Sequence, residues 1–356
     1  MYKKIFMGIA AVAALTLVSC SSDDLNSLSD NSSKNEAISF DGYWGRSAVS
    51  VNGSRGSVID KAENLQKVPE GFGVFGNYSS TDGTTPTYGK NWFDNQPVTY
   101  KTSAWTYNPV KYWLPQGHID FLAYAPYDAT IALKKKDATE TALTCIDFKV
   151  DKEIADQKDL LWANAANKTK DNISSTNNKV KFQFAHALSR LGYIVKLNND
   201  YSGATFTLTK ITLAGSSDGT ENAFYTTGTI DLSKTSSTGL WTTSSSDAKQ
   251  NFDWFSGTQT LATTDYKNPD ANYLFVIPQD FSATATGKLY VIVEYTIKNY
   301  NGVTATMTNK VYKQLKKNFE QGKAYTINLT IGLTPIEFDA EVAEWGIGDT
   351  ETIPLN

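Results

Sequence analysis

Residues 324–333 read AYTINLTIGL. Tyr325, Ile327, Leu329, Ile331 and Leu333 fall at every second position, with Thr326, Asn328 and Thr330 between them. A period of two puts the apolar set on one face of an extended strand, because successive side chains point to opposite sides of the pleat. The same residues would scatter round a helix. The pattern recurs upstream, where Leu289, Val291, Val293, Tyr295 and Ile297 form another apolar face. Asn301-Gly302 then supplies two residues that tolerate positive φ, as a tight hairpin turn requires, with a returning strand from Val303. Ile336, Phe338, Ala340 and Val342 alternate again. Phe206 and Leu208 share one parity, Ile211 and Leu213 the other, which predicts a β-bulge near Lys210 or a break in the strand. Turn residues separate these runs, at Asp82-Gly83, Asp218-Gly219 and in serine- and threonine-rich loops. Helix is expected only in short pieces, at 185–190 (AHALSR) and near 154–165. Many short strands between such turns predict an all-β chain of antiparallel β-sandwiches.

The chain has 356 residues, 40% hydrophobic and 20% charged, with a net charge of −4. That composition is globular, and without a basic block to track a phosphate backbone it excludes nucleic acid as a partner. Lys3 and Lys4 precede the apolar run Ile5–Val18, which ends in Leu17-Val18-Ser19-Cys20. A positive start, a short apolar core and small residues before the cut make a secretory signal, too short to span a bilayer of ~20 residues. Leu-Val-Ser-Cys resembles the lipobox of bacterial lipoproteins, which implies that Cys20 is acylated with palmitate and becomes the mature N-terminus. Ser21-Ser22-Asp23-Asp24 resembles the acidic signal that sends some lipoproteins of Bacteroidota to the cell surface. With Cys20 lipidated, Cys145 stands alone and no intrachain disulfide framework is possible. The expected organisation is a signal peptide (1–19), a lipidated tether (20–37), an N-terminal β-sandwich (38–178) and a C-terminal β-sandwich (179–356), the boundary lying in the polar stretch Lys168–Lys179.

Catalytic machinery is not legible. His118 and His186 are the only histidines, each flanked by apolar residues, and both read as structural. Cys145, in LTCIDF, reads as a buried inert thiol on a strand. No three or four ligands gather as a zinc site demands, and no glycine-rich phosphate loop occurs. Glu337, Asp339, Glu341 and Glu344 are the densest acidic cluster, and the first three take the polar face of an expected strand. Neither enzyme chemistry, nor a metal, nor a cofactor is expected.

The aromatic run WTYNPVKYWLPQGHIDFLAYAPY at 105–127 has two readings. In one, Trp105, Tyr107, Tyr112 and Trp113 pack the first sandwich near its edge. Ile119, Phe121 and Ala123 then alternate with Asp120, Leu122 and Tyr124, and Pro109, Pro115 and Pro126 sit at strand ends. In the other, Trp105 and Trp113 form a glycan-stacking platform, since indole offers a flat apolar face with a polar tip.

An ordered set of segments resembles the fimbrillin family, the two-domain pilins of Bacteroidales that build donor-strand (type V) pili. The segments are FGVFGNY (72–78), NQPVTY (95–100), the 105–127 run, DLLWANA (159–165), VKFQFAHALSRLGYIVKL (180–197), FEQGKAYTINLTIGL and FDAEVAEW. The resemblance covers about residue 38 to the C-terminus. It implies two transthyretin-like β-sandwich domains in tandem, export as an outer-membrane lipoprotein precursor, and cell-surface assembly into a fimbria that supports adhesion. In polymerising members an arginine-specific protease removes the N-terminal strand, and a segment of the next subunit fills the gap. Arg46 and Arg55, two of only three arginines, lie in GYWGRSAVSVNGSRGSV and are the candidate cleavage points, Arg55 first. Ala37–Trp44 is the expected removable strand, with Ile38 and Phe40 on one face. Gly346–Asn356 is the expected donor, with Ile347, Ile353 and Leu355 as plugs, although Pro354 removes one ladder donor. Expected partners are other pilus subunits, the outer membrane through Cys20, and the protease. The alternative is a surface lipoprotein that does not polymerise, an anchor, tip or adhesin binding glycans or host proteins.

Overall fold

A computed structural model describes residues 36–44, 59, 62–81, 85–173, 176–236, 238–244, 248–269, 272–283, 287–333, 337–344 and 350–353. The architecture is all-β. One short helix, α1 (Ala62–Gln66), and 3-10 turns are the helical elements among the described residues. Residues Glu36–Asn356 form one compact unit.

The first sheet runs in the order β1 (Phe40–Trp44), β9 (Val180–His186), β8 (Leu161–Lys168), β5 (His118–Ala125), β2 (Phe72–Ser79), β3 (Phe93–Lys101), β4 (Ala104–Thr106). Its central strand β5 is buried along its whole length. Ile119, Phe121, Ala123 and Ala125 point into an aromatic core with Phe40, Phe72, Phe93, Phe182 and Phe184. Leu122 and Tyr124 point the other way, into a second core shared with the rest of the chain. The alternation read in this strand is met, and both of its faces carry buried bulk.

A second set of sheets follows. One contains β17 (Tyr266–Lys267), β10 (Ser189–Leu197), β23 (Lys323–Ile331), β24 (Glu337–Glu344) and β25 (Thr350–Ile353), with β18 (Leu274–Val276) also on β10. The other is β16 (Phe252–Thr260), β11 (Thr205–Ala214), β20 (Tyr290–Lys298) and β21 (Met307–Gln314). Two small ribbons, β12 (Phe224–Tyr225) with β15 (Lys249–Gln250) and β19 (Gln279–Asp280) with β22 (Asn318–Phe319), close the margins. The alternation in 324–331 lands as read: Tyr325, Ile327, Leu329 and Ile331 are buried, while Leu333 lies past the strand end and is exposed. Leu289, Val291, Val293, Tyr295 and Ile297 are buried too. Asn301 and Gly302 take φ of 50° and 76°, as expected for the turn, but the returning strand starts at Met307. The parity switch in β11 is a bulge: its register against both β16 and β20 shifts between Leu208 and Lys210.

Three expectations are corrected. The run 185–190 is not a helix; it carries the chain from the end of β9 to the start of β10, and His186, Ala187, Leu188 and Ser189 are all buried there. Residues 154–165 hold one 3-10 turn, Ile154–Asp156, before β8 begins at Leu161. Residues Leu160–Ala163 are buried consecutively, which a two-sided strand accommodates and an amphipathic surface helix does not. Pairing is also not uniformly antiparallel, since β1 joins β9 and β10 joins β23 in parallel.

A further sheet draws on both halves of the sequence: β14 (Trp241–Thr242), β13 (Thr227–Asp231), β7 (Leu143–Lys149) and β6 (Lys134–Lys135). Strand β7 pairs with β13 over five positions, from Thr227↔Lys149 to Asp231↔Cys145. Asn164 on β8 donates to the Leu232 carbonyl at 2.9 Å and the Lys234 carbonyl at 2.7 Å. Cys145 is fully buried in this sheet and burial pushes its thiol pKa up. A chain beginning at Ser21 has no other cysteine. Native protein of that form is therefore expected to leave a thiol reagent such as dithionitrobenzoate unreacted, and to titrate one thiol per chain in denaturant. Rapid native labelling would contradict the buried placement.

Candidate functional site

The first described segment, 36–44, lies between two edges. On one side Ala37 bridges Tyr112 in antiparallel fashion. The Ile38 N–H donates to the Lys111 carbonyl at 2.8 Å, and the Trp113 N–H donates to the Glu36 carbonyl at 2.9 Å. On the other side β1 pairs with β9 from Phe40↔Val180 to Trp44↔Phe184, and the Val180 N–H donates to the Ser39 carbonyl at 2.8 Å. The Tyr107 hydroxyl donates to the Ile38 carbonyl at 2.8 Å. This segment closes a gap in the wall of the first sheet. Without it, the edge of β9 and the 111–113 backbone would each lose a ladder partner.

Its side chains explain the alternation in AISFDGYW. Ile38 and Phe40 are each 1% exposed. The Phe40 ring lies 5.3 Å from Tyr107, 5.5 Å from Phe93, 5.6 Å from Phe121 and 5.7 Å from Phe182, mostly edge-on or tilted. At Gly42 the seat narrows. A Cβ there would stand 3.1 Å from Leu65 Cδ2 of α1 and 3.2 Å from Phe184 Cε2. Ser39, Asp41 and Tyr43 face outward, and Asp41 sits opposite Lys181 in the register.

The chain downstream of this segment is pinned. The Asp159 carboxylate is fully buried; its Oδ2 accepts the Ile59 N–H at 2.9 Å and its Oδ1 lies 3.0 Å from His186 Nδ1. Burial raises the Asp159 pKa, and the adjacent His186 opposes the rise. His118 has a similar partner, with Nε2 3.2 Å from Asp120 Oδ2. Asp120 also accepts the Thr87 N–H at 2.8 Å and the Asn167 N–H at 2.6 Å. Both histidines are buried beside carboxylates that hold backbone in place. No group of three or more His, Cys, Asp or Glu positioned for a metal occurs among the described residues.

Of the residues singled out in the sequence, Trp105 and Trp113 are buried in the aromatic core at 9% and 4% exposure, so their ring faces meet protein rather than solvent. Trp105 packs 4.8 Å from Phe72 and 5.2 Å from Tyr100, and Trp113 6.4 Å from Phe121. Tyr112 alone of the four aromatics is exposed. Ile353 belongs to β25, paired with Ala340 of β24. Cys20, Arg46, Arg55, Ile347 and Leu355 lie outside the described residues. Sequence reasoning missed the parallel seating of β1, the role of Gly42 and the Asp159–Ile59 contact. Only Gly42 left a signal, as the small member of the series Ile38, Phe40, Gly42.

A model described as fimbrillin-like matches residues 61–345, starting after β1 and ending before the C-terminal tail. Among solved structures, a fimbrial protein from Bacteroides vulgatus shares the fold with a TM-score of 0.62 at 21% identity, over 87% of this chain and 100% of that one. A candidate cell adhesion protein from Bacteroides uniformis is 17% identical over 87% of this chain and 99% of its own, with a TM-score of 0.49. No curated protein matches. The chain belongs to the fimbrillin-like family, as a structural, non-enzymatic protein.

Proposed function

We propose that the chain is a structural subunit of a cell-surface pilus, exported as an outer-membrane lipoprotein anchored through Cys20, cut after Arg55 or Arg46, and assembled by donor-strand exchange within a two-sandwich fold. The observation that carries this reading is the seat of 36–44. A peripheral strand bonded on both edges fills the core of the first sheet with Ile38 and Phe40, and both candidate arginines follow it in sequence before Ile59. Such a strand is separable once cut, and its departure leaves unpaired backbone beside an apolar groove, which an added strand satisfies. The buried hold on Ile59 supports retention of the chain beyond the cut.

The test uses a chain beginning at Ser21, digested briefly with an arginine-specific protease. A new N-terminus after Arg55 or Arg46, followed by rods or ladders in negative-stain images, is the expected result. Resistance to the protease, with a stable monomer, would overturn it. The lipid anchor is read separately: palmitate is expected to label the full-length precursor in cells and not its Cys20→Ala variant.

A further inference from the structure

The run Ile38-Ser-Phe-Asp-Gly42 has one near-copy in the chain, Ile336-Glu-Phe-Asp-Ala340. The first copy fills four distinguishable positions in its seat. Ile38 and Phe40 enter the apolar core. Asp41 stands outward, opposite Lys181. Gly42 lies under Leu65 and Phe184, with room for a methyl group only if those two side chains give by a few tenths of an ångström. A larger side chain there would overpack a closed core. Ile119-Asp-Phe-Leu-Ala123 shares the apolar spacing but not the aspartate, and it is the central strand of the sheet.

We propose that the groove vacated by β1 selects its replacement by this four-position pattern, and that residues 336–340 of a second copy of this chain occupy it, Phe338 in the place of Phe40, Asp339 beside Lys181 and Ala340 under Leu65. This rests on the strand-exchange reading above and differs from a tail donor built on Ile347, Ile353 and Leu355. On the solvent side this register brings an acidic residue next to Lys181, whose ammonium lies 6.0 Å from the Tyr43 ring centroid, so the charges favour this register without forming an ion pair. The Leu65–Phe184 constriction fixes it on the core side, because a slip of two residues drives Val342 or Phe338 into a methyl-sized space. In the donating copy, β24 from Glu337 onward lies between β23 and β25. On transfer residues 338–342 take the place of 40–44 beside β9 and residues 334–336 that of 36–38 beside 111–113, while β23 and β25 of the donating copy give up their pairing with it.

The test places cysteines at the predicted contact. A chain beginning at Ser21 and carrying Lys181→Cys and Asp339→Cys is cut with the arginine-specific protease, oxidised and run on a non-reducing gel. Paired positions in adjacent strands fall within disulfide reach, and Cys145 is buried. A covalent ladder of multimers is expected. Lys181→Cys with Pro354→Cys, or with Asn356→Cys, is expected to give none. A ladder from either tail pair and not from Asp339→Cys would overturn this register while leaving strand exchange standing. Should the cut chain form no polymers, a labelled peptide of residues 334–344 is titrated into it. Binding that Ala340→Leu weakens at least tenfold, and Ala340→Gly leaves within twofold, supports the pattern. No binding by the parent peptide, or equal binding by the leucine peptide, overturns it. The constriction is also read in the uncut chain: Gly42→Ala is expected to fold with an almost unchanged Tm and Gly42→Leu with a clearly lower one, and a neutral Gly42→Leu would remove the size filter.

Discussion

Phe40→Ala is expected to lower the stability of the uncut chain by about 3–5 kcal/mol, the range for deleting a buried phenylalanine ring. Phe40 is at the high end of that range on physical grounds. It is 1% exposed, and four aromatic rings lie within 5.7 Å of its centroid. The cavity left by its ring would be walled by Phe93, Phe121 and Phe182, held on β3, β5 and β9, and by Tyr107 just past β4, and so could not collapse fully. Urea unfolding of the two proteins measures the difference directly. The same substitution also discriminates between states. In the cut and assembled form, the proposed exchange has removed β1, so Phe40→Ala is expected to leave dissociation of the assembled protein unchanged. An equal loss in both forms would mean that β1 stays in its seat and that the strand-exchange reading is wrong.

Asp159→Ala is expected to cost about 3–5 kcal/mol as well, for a different reason. The substitution deletes no large apolar surface. It removes the carboxyl group that accepts the Ile59 N–H and lies 3.0 Å from His186 Nδ1, and leaving each buried polar partner unsatisfied costs about 1–3 kcal/mol because it stays desolvated. Its second consequence is local. Amide exchange at Ile59 is expected to be slow in the parent chain and to approach the rate of an unprotected amide in the variant. Unchanged protection of that amide would show that something other than Asp159 holds it.

The strands of the second half were the most legible part of the sequence. Tyr325, Ile327, Leu329 and Ile331 report their burial by period alone, because one face of β23 meets the core and the other does not. The bulge in β11 was legible for the same reason: an inserted residue reverses parity. The first sheet was harder. Strand β5 is buried on both faces, so its composition says wall without saying which side faces what. The helical expectation at 185–190 failed because six residues are too few to separate a helical period from a crossing whose four middle residues are all buried. At the candidate site, Ile38 and Phe40 were readable as a face, and Trp105 and Trp113, open to two readings in the sequence, are buried in the core. The contact between Asp159 and Ile59 was not readable at all. The two residues are 100 positions apart, and no local pattern encodes a carboxylate that meets a backbone amide across the fold.

The shared sheet of β7 and β13 bears on how such a chain can diversify. Strand β7 lies between β5 and β8 in sequence, yet its ladder partner, residues 227–231, comes after the whole first sheet is complete. A graft that imported residues 36–186 from a relative would bring a foreign β7 to a native β13. It would also bring a foreign side chain at 164 to the carbonyls of Leu232 and Lys234. Five paired positions and two side-chain bonds would have to match by chance. The two halves are therefore expected to be inherited as one piece, with variation confined to loops such as 299–306 that touch neither ladder.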